Sequence, residues 1–299
     1  MRAAAALAVT GLLMAWPASV SGWGMDVHRF LTGHVIDQMP DALRPFYAEQ
    51  RAFIIEHSVD PDLWRVVELG GARGPEEPNH FLDIDGLDEP APFRNVPREW
   101  DAYVARYGAE RANRMGRLPW RVEEVYGRLV RAFKDAGSGR APYAADNARY
   151  LTAVLAHYVQ DAHVPFHAVL NYDGQLTGQR GIHSRFETEL VLRHLKTWRI
   201  APVSVRPVAN AKEDIFARLV EGHALVERIL AADKRAIVGR ELYDDAYFAA
   251  LFDEVRPIVE RRLNESVVAT VSMVMAAWTD AGRPALPVRT ARGPAPIRR

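Results

Sequence analysis

The chain has 299 residues, with 38 basic and 38 acidic side chains and a formal net charge of zero. Hydrophobic residues make up 48% and charged residues 25%, which excludes disordered, collagen-like and disulfide-scaffold classes and leaves ample chain for a sizeable core. Cysteine is absent, so disulfides, thiolate metal sites and thiol nucleophiles are excluded together; a metal must be held by imidazole, carboxylate or backbone. The balanced charge also excludes a globally basic nucleic-acid binder, so any attraction for phosphate is local.

The chain starts with the layout of an export signal. Met1-Arg2 is a short basic start, residues 3–14 are weakly apolar, Pro17 breaks the run, and small residues follow to Gly22. The apolar run is shorter than the ~20 residues of a membrane span. The expected cut lies between Gly22 and Trp23, which makes 1–22 a signal peptide and the product exported, periplasmic or secreted. The lack of cysteine leans toward a bacterial cell envelope.

The remainder reads as mostly helical. Residues 27–39 have helical apolar spacing with Asp26 as the expected N-cap, and 41–57 read as a second helix. Residues 58–98, rich in Gly, Pro and acidic side chains, read as a long functional loop. Helices are expected over 100–115, 119–135, 147–162, 183–198, 211–232 and 242–281, the last interrupted at Pro257, with a Gly-containing loop over 171–180. Residues 282–299 carry five Arg and four Pro without apolar period, a disordered basic tail. The expectation is one all-α domain over 23–281, a bundle of roughly eight or more helices.

The chemistry lies in a histidine and carboxylate set. His157 and Asp161 are four apart and share one helix face, and His183 and Glu187 repeat that spacing. His167 lies between the pairs, just past Pro165. Upstream stand His28, Asp60, Asp62 and His80. Each alone is weak evidence, because isolated helical His and Asp residues are ordinary polar surface or packed groups. His163 has no useful helical offset and is not counted. Two such pairs plus a nearby His within 31 residues point to a divalent metal, and N and O ligands without sulfur suit catalytic zinc.

The string HYVQDAHVPFH over 157–167 and GIHSRFE over 181–187 resemble the superfamily that joins single-strand-specific zinc nucleases of fungi and plants to bacterial zinc-dependent phospholipases C. The resemblance spans 23–187; Val164 departs from it, standing where the family has Gln before the proline. It implies three zinc ions at the base of a cleft. Asp62, His80, His157 and Asp161 would hold one, His167, His183 and Glu187 a second, and Trp23, His28 and Asp161 a third. In the third, the α-amino group and carbonyl of a processed Trp23 would serve as ligands. Asp60, two residues from Asp62, is the alternative register and is expected in the loop or behind the ligands. Arg65 sits at the offset of the nuclease phosphate-binding Arg, and Asp62, Arg65 and Asp161 are the implied catalytic residues. Phe81 and Asp83 match positions that stack on and bond a base.

The implied activity is zinc-dependent phosphodiester hydrolysis, either of single-stranded nucleic acid or nucleotides, or of phospholipid head groups. The Trp23-to-His28 spacing favours the nuclease. Glu187 in place of Asp favours the phospholipase C, as does Asp26, at the position of an acidic residue facing choline. A non-catalytic zinc-binding protein is the third reading. No stable protein partner is implied, and the expected state is a monomer.

Overall fold

The computed structural model describes residues 23–67, 74–139, 141 and 143–288. The expected signal peptide, the part of the expected loop over 68–73, and tail residues 289–299 lie outside the described residues. Within them the fold is all-α, as the spacing predicts, and no strand forms beyond one isolated bridge between Leu82 and Gly116. No described helix is long and apolar enough to cross a membrane.

The elements are α1 (Met25–Asp37), α2 (Arg44–Ala48), α3 (Arg51–His57), α4 (Asp60–Val67), α5 (Trp100–Tyr107), α6 (Ala109–Met115), α7 (Leu118–Ser138), α8 (Ala144–Asp161), α9 (Ile182–Ser184), α10 (Leu190–Arg193), α11 (Ala211–Ile237) and α12 (Asp245–Asp280). A π-helical segment, Arg185–Glu189, joins α9 to α10.

α8 is the centre of the fold. Every residue from Thr152 to Asp161 is buried, so this stretch of the helix has no solvent face and its polar side chains must find partners inside. α1, α3, α7 and α12 pack around it. α7 turns Val122, Val125, Leu129 and Phe133 inward at 3–4 residue spacing, and its charged residues outward. α12 contributes Val259, Leu263, Val267, Val271 and Val274 to the same core. Pro257 lies inside α12, as expected.

Several boundaries differ from the sequence reading. Asp26 is not the N-cap of α1; Gly24 is, and Asp26 lies exposed in the first turn, 3.1 Å from Arg29. A side chain at Gly24 would collide with Thr188, 2.6 Å from its Cβ position, so glycine permits the close approach of α1 to the π segment. The 41–57 helix is broken into α2 and α3 between Ala48 and Arg51, and the 100–115 helix at Gly108, whose φ of 78° suits glycine. The 58–98 loop contains a true helix, α4, and two 3₁₀ turns, Glu77–Asn79 and Ile84–Leu87. The 183–198 helix ends at Arg193, and its first half is π-helical. Residues 282–288, read as the start of the tail, turn back on the core: the Trp278 indole donates to the Pro284 carbonyl at 3.0 Å and Leu286 packs against the apolar cluster.

Candidate metal centre

The last turns of α8 set the site. His157 and Asp161 project from one face of this buried helix, and five other segments bring donors to them. α1 supplies His28, α4 supplies Asp62, the segment after Glu77–Asn79 supplies His80, and the turn after α8 supplies His167. The α9–π segment supplies His183 and Glu187. Three groups of donors close enough to hold a metal ion result: His28, Asp62 and His157; His80, His157 and Asp161; and His167, His183 and Glu187.

Asp161 lies between them. Its Oδ2 is 2.9 Å from His80 Nδ1 and 3.2 Å from His157 Nε2, while its Oδ1 is 3.4 Å from His28 Nε2 and 3.9 Å from His167 Nδ1. Asp62 Oδ1 lies 3.9 Å from both His80 Nδ1 and His157 Nε2. In the third group His183 Nε2 is 2.7 Å and His167 Nε2 4.0 Å from Glu187 Oε2. Donors about 2.05 Å from one tetrahedral ion lie about 3.3 Å apart, inside this range of separations.

Buried polar groups are normally hydrogen-bonded. Here His28 Nε2, Asp161 Oδ1, both nitrogens of His183 and both carboxylate oxygens of Glu187 are buried without a hydrogen bond. The 2.7 Å approach of His183 to Glu187 lacks hydrogen-bond geometry, so the two groups converge on shared space. Buried lone pairs directed at one another are repulsive unless a cation lies among them, and this donor set fits metal ions.

The other side of three of these imidazoles is fixed. His157 Nδ1 donates to the Ser58 carbonyl at 2.9 Å, His167 Nδ1 to the His80 carbonyl at 2.7 Å, and His28 Nδ1 to Gln160 Oε1 at 2.7 Å. Each bond leaves Nε2 as the lone-pair nitrogen facing the cluster, the tautomer a metal requires. Gln160 Nε2 in turn donates to Thr32, and the buried Trp23 indole donates to the Gln160 carbonyl at 2.9 Å. Trp23 is thus seated on the residue preceding Asp161.

The protonation states follow from burial and neighbours. Burial holds His157, His167 and His183 below the usual imidazole range, His167 at about 4, so they are neutral near pH 7. Burial opposes the charged form of His80 too, but the Asp161 and Glu76 carboxylates outweigh it and raise His80 to about 9. Burial also opposes ionised Asp161, yet its imidazole neighbours, His157 foremost, keep it well below the carboxylate range. Glu187 is pushed well above that range by burial, and by Asp161 and Asp62.

A buried network supports the π segment. Arg185, between His183 and Glu187, donates to Asp233 at 3.0 Å and to the Tyr247 hydroxyl at 3.1 Å, and also reaches the Arg180 and Gln179 carbonyls. The wider π turn lets His183 and Glu187 meet while Arg185 points to the opposite side.

The remaining expected residues fall as follows. Asp62, not Asp60, joins the cluster; Asp60 starts α4, not a loop, and binds His57 and the Tyr150 hydroxyl. The buried Arg65 lies 3.4 Å from Asp62 and 3.4 Å from Glu77. Phe81 is half-buried, and Asp83 is buried, its carboxyl raised well above the usual range by burial and by Asp85. His163 joins no donor group and donates to the Val159 carbonyl. The donors expected for one ion are split over two triads that share His157, with His28 in one of them. The sequence reading missed Glu76, 3.6 Å from His80 Nε2, and the supports Gln160, Arg185 and Asp233. The Glu76-to-His80 spacing of four was the available signal, hidden in a proline-rich stretch. The chain matches no family model and no curated protein.

Proposed function

We propose that the protein is a zinc-dependent phosphodiester hydrolase holding up to three ions in this centre, and that its substrate is single-stranded nucleic acid or nucleotides. The observation that carries the reading is the convergence of three donor groups around Asp161 with an arginine, Arg65, 3.4 Å from the donor Asp62. When bound, close zinc ions supply water activation near neutral pH and a positive field for phosphate.

The protein residues supply orientation. Asp161, whose two oxygens face different imidazoles, would be shared between neighbouring ions. Asp62 Oδ1 points into the cluster, where it can accept a proton from the attacking water and aim it at phosphorus. Arg65, held by Asp62 and Glu77, offers guanidinium donors to the phosphate oxygens and to the charge that develops on them. A processed N-terminus at Trp23 would offer its amine and carbonyl as further ligands to an ion held by His28.

The nuclease reading draws on Phe81 and Asp83. A partly exposed ring can stack on an unpaired base, and a carboxyl whose proton is held more tightly because of burial can hydrogen-bond to it. Asp26, the residue that favoured a phospholipase C, is exposed and engaged by Arg29. Glu187 in the third donor group keeps phospholipid head groups as the second reading.

The test uses protein beginning at Trp23, assayed for zinc and for release of nucleotides from single-stranded DNA or RNA and of phosphocholine from phosphatidylcholine. About three zinc ions with nucleotide release is the expected result. Phosphocholine release alone moves the protein to the phospholipase reading. Zinc without either activity leaves a metal-binding protein and sinks the hydrolase, and absence of zinc sinks the centre itself.

A further inference from the structure

The acidic pair Glu76-Glu77 precedes His80, and the fold gives the two carboxylates separate tasks. Glu77 Oε2 lies 3.4 Å from Arg65 Nε. Glu76 turns inward and is buried, with Oε1 3.6 Å from His80 Nε2. The opposite nitrogen of that ring, Nδ1, faces the cluster, 2.9 Å from Asp161 and 3.1 Å from His157. The His80 ring therefore stands between the metal centre and a carboxylate. His28, His157 and His167 instead hydrogen-bond to neutral oxygens, whereas Glu76 faces His80 Nε2 as an ion-pair contact beyond hydrogen-bond distance.

Glu76 is itself held in place. The Tyr158 hydroxyl donates to Oε1, Asn79 Nδ2 donates to Oε2 at 2.9 Å, and Arg121 lies 3.9 Å from Oε2. Tyr158 follows His157 on α8, so the brace ties the segment carrying His80 to the helix carrying His157 and Asp161.

We propose that Glu76 is a positioning carboxylate for His80, aiming Nδ1 at the cluster and making it a stronger metal donor than the imidazoles backed by neutral oxygens. A carboxylate behind a ligating imidazole fixes the ring and raises its basicity. The inference rests on the metal-centre reading, and it concerns a residue that no ligand motif in the sequence includes.

The experiment is chelator competition on protein beginning at Trp23, resolving the successive zinc affinities. Glu76→Gln keeps the size and an acceptor but removes the charge. It is expected to weaken one zinc step by about 10–100-fold, leaving the other steps and the far-ultraviolet circular dichroism at wild-type values. Tyr158→Phe, which removes one brace, is expected to weaken the same step by less, and it carries the test if Glu76→Gln does not fold. Wild-type affinity at every step in both variants overturns the inference, as does equal weakening of all steps with a lower Tm. A wild-type protein that binds no zinc overturns the metal centre, a failure distinct from that of Glu76 alone.

Discussion

His80 and His167, 87 positions apart in the chain, are fastened to each other through their backbones. The His167 imidazole donates to the His80 carbonyl at 2.7 Å, and the Leu82 amide donates to the His167 carbonyl at 3.0 Å. The pair links the donor group around Asp161 to the group around Glu187, so the two cannot drift apart independently. Such cross-ties between ligands hold metal geometry.

Glu187 illustrates stability given up for a site. Both its oxygens are buried without hydrogen bonds. Glu187→Met is expected to raise the stability of metal-free protein by about 1 kcal/mol, because it removes an unsatisfied buried carboxyl at similar volume. The same change should remove one zinc and lower hydrolysis by about two to three orders of magnitude. Denaturant melts of metal-stripped protein, with zinc analysis, check both halves; a fall in metal-free stability contradicts the first.

Zinc binding should release protons in a predictable pH window. In the metal-free cluster the folded-state value of His80 is raised from 6.5 to about 9, so its stabilising effect is complete below the ordinary value and lost as pH rises through about 9. A metal must displace that proton, so the apparent affinity of the ion beside His80 should climb about tenfold per unit between these limits. His157, His167 and His183, already neutral, release none. Titration calorimetry in buffers of different ionisation enthalpy at pH 7.5 should count at least one proton per loaded protein; zero contradicts the assignment.

Arg65 is expected to act on substrate and not on metal. Arg65→Ala should leave the zinc content unchanged and lower hydrolysis by about 100-fold, with Arg65→Lys recovering only part because an ammonium lacks the bidentate fork. Loss of zinc in either variant would place Arg65 in the support of Asp62 instead.

Gly116 is a structural test of the segment that carries His80 and Phe81. Its φ is +96°, and a Cβ would lie 2.1 Å from the Phe81 carbonyl oxygen. Gly116→Ala should destabilise the fold by at least about 2 kcal/mol, from backbone strain plus collision. A Tm within 2 °C of wild type, roughly the shift of under 1 kcal/mol, contradicts this reading.

The role of Trp23 depends on processing. Protein that retains Gly22 has an amide where a free amine is needed, and should bind one zinc fewer than protein starting at Trp23. Equal zinc content in both would remove the N-terminus from the ligand set.

The sequence by itself determined the helical class and most of the donors. Helical apolar spacing encodes α7, α8 and α12, and the four-residue spacings of His157 with Asp161 and His183 with Glu187 place each pair on one face before any folding is considered. Tertiary packing alone set how six segments share the centre. It selected Asp62 over Asp60 by the direction α4 enters the core, and it set Asp161 between the donor groups. It also made α4 from an expected loop, split two expected helices, and opened a π turn at Arg185 because Asp233 and Tyr247 hold that guanidinium from distant helices. Glu76 was legible only through its four-residue spacing to His80, inside a proline-containing stretch without helical pattern. Short-range spacing records which side chains share a helix face, whereas burial, crossing direction and long-range hydrogen bonds emerge only when the whole chain packs.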